Sequence, residues 1–148
     1  MDQIGQTAGP EARPARDAGS APAAPAVSRA TLRLHLWLEA EEGMVFGMGR
    51  LLLLEQVARC GSLKAAAEQM NMSYRAAWGK IKATEQVLGR ALIEKGRGNH
   101  GRYQLTAYGR ELMDSFAGLF REVEAFAVAR GSRMLPFALT SFDDGVVP

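Results

Sequence analysis

From Thr31 to Ala40 apolar and polar residues alternate, with Leu32, Leu34, Leu36 and Leu38 set against Arg33, His35, Trp37 and Glu39. A period of two is that of a half-buried strand. Glu41-Glu42-Gly43 supplies a turn and Met44-Val45-Phe46 a short partner strand, so a small hairpin is expected. From Gly49 the period lengthens. Leu51, Leu52, Leu54, Val57 and Ala58 recur at helical spacing and Gly61 ends the run. Cys60, among apolar neighbours, is expected as a small buried hydrophobe. Ser62 caps a second, shorter helix through Met70, and Ser73 caps a third that runs to about Leu88, where Gly89 stops it.

Two short apolar segments follow, Ala91-Leu92-Ile93-Glu94 and Tyr103-Gln104-Leu105, around the Gly-rich basic run Lys95 to Arg102. That is the pattern of a β-hairpin with an exposed tip. Thr106 caps a fourth helix extending to about Arg130. Its stripe of Leu112, Phe116, Leu119, Phe120, Val123 and Phe126, spaced by threes and fours, suits packing against a second copy as well as a core. Residues 1–28, dominated by Ala, Pro and Gly, have little to bury and read as a flexible arm. Residues 131–148 show no period and read as a coil tail. The expected fold is mainly α with small β-hairpins. Residues 29–130 form a winged helix-turn-helix with an N-terminal β-hairpin and a long dimerisation helix over about 106–130.

The stretch from Ser62 to Leu88 carries the chemistry. Ala66 and Ala67 let two helices cross tightly, and Asn71 tolerates the left-handed backbone that the turn needs. On a wheel of about 100° per residue, Ala77, Ile81, Thr84 and Leu88 share one side of the third helix, while Arg75, Gly79, Lys82 and Gln86 share the other. A mid-helix glycine costs about 1 kcal/mol relative to Ala. Close approach of the backbone to a partner is one reason to accept it. A DNA major groove admits such a helix, and Arg is the commonest reader of guanine edges. Lys80 joins this set of candidate DNA contacts. Ser62 and Lys64 at the second helix, and Ser73 and Tyr74 in the first turn of the third, are candidates for phosphate, because helix N-termini favour anions. Trp78 is assigned to packing. Arg97, His100 and Arg102 at the hairpin tip are candidates for the DNA backbone or minor groove.

Charge supports this placement. The chain has 148 residues, enough for one domain, and its formal net charge is a mere +2. Between Ser62 and Arg102, however, eight bases face three acids, whereas from Glu111 onward acids predominate. One basic side suits a polyanionic partner. A single cysteine and two distant histidines offer neither a disulfide nor a metal site. No secretory signal or membrane-spanning run is present, so a cytoplasmic location is expected. Catalytic motifs are lacking, so neither an enzyme nor a cofactor is expected.

The order helix, helix, helix, wing, long helix resembles the DNA-binding domain of LysR-type regulators. Gly61-Ser62-Leu63 through Ser73-Tyr74-Arg75-Ala76-Ala77-Trp78 is more similar still to the molybdate-responsive ModE family. Trp37-Leu38-Glu39, Gly47-Met48-Gly49-Arg50 and Leu105-Thr106-x-x-Gly109 also look like that family. The likeness covers roughly Thr31 to Arg130. The wing departs from it, with Arg97, Asn99, His100 and Arg102 where ModE wings are richer in glycine. The resemblance is to the DNA-binding half of that family and carries over no oxyanion site. It implies a transcriptional regulator, acting as a homodimer on double-stranded DNA. The alternative is an interaction module that pairs with a full-length regulator without reading DNA itself.

Overall fold

The computed structural model describes residues 26–98 and 102–142. Most of the expected N-terminal arm, His100 at the wing tip, and residues 143–148 lie outside the described residues. Ten elements follow in chain order: β1 (Arg29–Leu32), β2 (Trp37–Ala40), β3 (Gly43–Gly47), α1 (Met48–Cys60), α2 (Leu63–Gln69), α3 (Tyr74–Leu88), β4 (Ile93–Lys95), β5 (Tyr103–Leu105), α4 (Ala107–Met134) and β6 (Ala138–Ser141). The mainly helical fold with small β-hairpins is as the patterning predicts. The starts of α2 and α3 and the ends of α1 and α3 follow the capping signals, whereas α1 begins at Met48 behind Gly47 with no side-chain cap. Gly61 and Gly89 close α1 and α3 at φ 61° and φ 66°.

Three short ribbons frame the helices. β2 pairs antiparallel with β3, and β4 with β5. The strand expected over Thr31–Ala40 is in fact two strands. Its alternation persists, with Leu32, Leu34 and Leu36 half-buried, but the hydrogen-bonding partner changes midway. The first part pairs in parallel with β6, from Arg29 opposite Ala138 to Leu32 opposite Ser141. Sequence periodicity reports which face is buried and is silent about which strand lies alongside.

The coil expected after Gly131 is also corrected. α4 passes through Gly131 and ends at Met134, and Ala138–Ser141 returns as β6. Gly131 lies within the helix, one residue beyond its expected end. A Cβ at that position would collide with the Leu139 side chain, so the glycine lets β6 lie against the helix. Ser132 Oγ accepts from Leu139 N at 2.8 Å and fixes the return.

The core gathers Phe46, Leu51, Leu53, Leu54, Val57 and Leu63 with Ala66 and Ala67 at the α1–α2 crossing. Ala77 and Ile81 from α3, Leu92, Ile93 and Leu105 from the wing root, and Phe116 from α4 complete it. The buried stripe of α1 uses Leu53 where Leu52 was expected. Four consecutive leucines leave the phase of a helix undetermined, and neighbouring elements choose it. Cys60 is exposed, contrary to expectation. It is the last residue of α1, where the chain leaves the core to enter α2.

Candidate nucleic-acid interface

The turn between α2 and α3 is built as the residue types require. Ser62 Oγ accepts from Ala65 N at 3.3 Å and Ser73 Oγ accepts from Ala76 N at 3.1 Å, so each helix begins with a side-chain cap. Asn71 sits at φ 53°, the one non-glycine residue with positive φ among the described residues. Ala77, Ile81 and Thr84 are buried beneath α3. Arg75, Gly79, Lys82 and Gln86 are exposed together on its outer side. A Cβ on Gly79 would meet nothing within 4 Å. No packing inside the chain therefore requires that glycine.

The individual candidates differ in what else they touch. Lys64 and Arg75 are exposed. Lys80 lies on the flank of α3 that faces the β2–β3 hairpin, where it lines a cleft with Arg50. Lys82 Nζ is 2.5 Å from Glu85 Oε2 and 4.6 Å from the centre of the Trp78 ring. Its charge is thus already engaged within the helix. Tyr74 stacks on Trp78 at 6.3 Å between ring centres, and Trp78 meets Tyr103 of β5 at 5.7 Å. Trp78 is a packing residue, as its place on the wheel suggests. Desolvation, with the adjacent hydrogen-bonded Tyr103 hydroxyl, raises the Tyr74 phenol above its usual pKa, against a smaller opposing pull from Lys95.

The wing stands beside α3. Gly96 N donates to Arg102 O at 3.0 Å, closing the base of the tip, and Gly98 turns the chain at φ 93°. Arg97 and Arg102 are exposed at this end. Tyr103 N donates to Gly61 O at 3.2 Å, linking the wing to the α1–α2 corner. At the other end Thr106 Oγ1 donates to Ala91 O at 2.8 Å and accepts from Gly109 N at 2.9 Å. A Cβ on Gly109 would overlap the Leu92 carbonyl, so α4 reaches the wing root only because that residue is glycine.

Sequence reasoning missed Glu85. It is buried, and Oε1 accepts from Leu92 N at 2.7 Å and Ile93 N at 3.2 Å. Burial alone would raise its pKa. The Lys82 hydrogen bond and the two wing amides outweigh that effect and hold the carboxyl below its usual range. The available signal was its position on the core-side flank of α3, close to Trp78 and three residues after a lysine.

The α4 stripe divides. Phe116 and Phe120 are buried in the chain's own fold, with Phe116 packed edge-on to Phe46 at 5.1 Å, and Leu112 packs beside them. Phe116 and Phe120 thus leave little surface for a second copy. Leu119 and Phe126 remain exposed, Phe126 at 70 %, and Val123 is half-buried between them. No helix among the described residues is long and apolar enough to cross a membrane.

Residues 48–110 match the family described as bacterial regulatory helix-turn-helix protein, lysR family. The chain is 30 % identical over 91 residues to the transcriptional regulator ModE of Haemophilus influenzae, covering 60 % of this chain and 36 % of that protein. It is 31 % identical over 90 residues to the molybdenum transport protein ModE of Azotobacter vinelandii, covering 60 % and 33 %. The chain thus spans about a third of the length of these relatives. A crystal structure of a CbnR DNA-binding domain with DNA aligns at a TM-score of 0.42 with 27 % identity, over 58 % of this chain and 91 % of that one. A BenM DNA-binding domain with benA site 1 DNA aligns at 0.45 with 22 % identity, over 58 % and 92 %.

Proposed function

We propose that the protein is a dimeric, sequence-specific regulator of transcription, a reading supported by the match of residues 48–110 to the lysR-family helix-turn-helix. The observation that carries the reading is the outer side of α3, where Arg75 is exposed beside a glycine that no internal contact explains. In this reading α3 enters the major groove. Arg75 reads a base edge, and the Gly79 backbone approaches the duplex. Ser62, Lys64, Ser73 and Tyr74 hold phosphates at the helix starts, Lys80 and Lys82 flank the groove, and Arg97 and Arg102 follow the backbone or minor groove from the wing. Leu119, Val123 and Phe126 of α4 pair with the same residues of a second copy. Two recognition helices then lie about 34 Å apart, one turn of DNA. The protein works in the cytoplasm.

Fluorescence anisotropy with duplexes from the promoter of the protein's own gene, across a salt series and with and without molybdate, tests the reading. Sequence-selective binding that weakens steeply with salt is expected, since each neutralised phosphate contributes about −0.9 to the slope of log K against log salt. Binding without sequence preference, or indifferent to salt, overturns it. The exposed Phe126 then favours the second reading, an interaction module that pairs with another regulator through α4.

A further inference from the structure

A cleft of about 360 Å³ opens between the β2–β3 hairpin, the start of α1, the flank of α3 and α4. Leu36, Trp37 and Phe120 form its apolar wall, and Arg50 and Lys80 supply two cations. Arg50 is half-buried. Its Nε donates to Thr84 Oγ1, and a terminal nitrogen lies against the Met44 sulfur, a weak acceptor. Neither Arg50 nor Lys80 has a carboxylate in ion-pair reach among the described residues. A guanidinium offers five donors, and withdrawing it from water without a counter-charge is costly. Burial accordingly pulls the Arg50 pKa below its usual value.

We propose that this cleft binds a small organic anion, its carboxylate held by Arg50 and Lys80 and its apolar body against Trp37, Leu36 and Phe120. Concave sites of this kind, mostly apolar with a few convergent polar groups, are those that take small ligands, and their volumes begin at about 300 Å³. An inorganic oxyanion is too small to cover the apolar wall. A DNA phosphate would leave that wall equally wet. Trp37 is 53 % exposed, an aromatic face open to such a ligand. The ligand would touch the recognition helix directly, because Lys80 belongs to α3 and Arg50 is bonded to Thr84 of the same helix. The site does not depend on the DNA-binding reading.

The test uses the full chain and calorimetric titration with benzoate and 4-methylpentanoate, with benzamide as the neutral counterpart and inorganic phosphate as the head group alone. Tryptophan fluorescence is followed in a Trp78→Phe background, which leaves Trp37 as the reporter. Saturable binding of at least one carboxylate per chain is expected, with a change in Trp37 emission. Arg50→Gln and Lys80→Ala should each weaken it about tenfold or more, the effect of losing one charge-assisted hydrogen bond. Lys80 makes no side-chain hydrogen bond within the described fold, so its variant answers the question even if Arg50→Gln proves unstable. Equal affinity for benzamide, phosphate binding as tightly as the carboxylates, unchanged affinity in Lys80→Ala, or no saturable binding of either carboxylate overturns the proposal. A fall of about 0.9 in the salt slope of duplex binding in Lys80→Ala, with no carboxylate bound, would reassign the cleft to a DNA phosphate.

Discussion

Glu85 of α3 and Leu92 at the root of the wing are joined by a 2.7 Å hydrogen bond from a backbone amide to a buried carboxylate. The next amide, Ile93 N, shares the same oxygen at 3.2 Å. This side chain therefore ties the two parts of the candidate interface to each other. The Tyr74–Trp78–Tyr103 array provides a second, apolar tie between α3 and β5.

Removing that carboxylate strands two amides at the wing root. Glu85→Ala should lower stability by about 2 kcal/mol, because the amides lose their acceptor in a buried place. Glu85→Gln keeps an acceptor oxygen and should cost less. Urea denaturation of the two variants measures the difference. Equal stability of Glu85→Ala and the parent would show that water replaces the carboxylate without loss.

Acid should weaken the same tie. The folded-state pKa of Glu85 lies below its ordinary value of 4.5. Its contribution to stability is therefore fully present above the unfolded value and is lost as pH falls through it toward the folded value. Stability measured from pH 6 to pH 3 should fall less steeply in Glu85→Gln than in the parent. An identical acid dependence would assign the loss to other carboxylates.

Glycines on two helices should respond oppositely to alanine. At Gly79 the new methyl meets open space, so Gly79→Ala should stabilise α3 by up to about 1 kcal/mol. If the α3 backbone lies close to DNA as proposed, the same change weakens duplex binding. Gly109→Ala drives a methyl into the Leu92 carbonyl, a backbone atom that cannot rotate away. It should destabilise the fold at the wing root. Thermal melts separate the two signs, and anisotropy tests the binding loss at Gly79.

Much of this architecture was legible because it rests on local signals. Ser62, Ser73 and Thr106 were read as caps, and Gly61 and Gly89 as stops, from residue type and spacing alone. Asn71 marked the turn for the same reason. What escaped was set by partners distant in sequence. β6 is four residues long and finds its mate about a hundred residues earlier, so no period announces it. Gly131 falls in the stretch read as coil, yet it lies inside α4, where the Leu139 side chain of β6 comes against it. In the candidate interface, the exposed placement of Arg75 and Gly79 followed from the wheel. The capture of Lys82 by Glu85 did not, because the charge balance of a helix face does not reveal which charges are already paired.

The α4 stripe provides the sharpest contrast between two phenylalanines of one helix. Phe116 is 2 % exposed and packs on Phe46, whereas Phe126 stands in solvent. Phe116→Ala should cost about 3–5 kcal/mol, the range for emptying a buried aromatic site. Phe126→Glu should leave the fold of the chain intact, because the side chain buries little there. It should weaken self-association about tenfold or more if α4 forms the dimer contact, since exposed aromatics dominate interfaces and a charge opposite its own copy is repelled. Sedimentation equilibrium of the two variants, with circular dichroism as the measure of folding, reads both effects. A Phe126→Glu protein that remains fully dimeric would place the dimer contact elsewhere than the exposed part of the stripe.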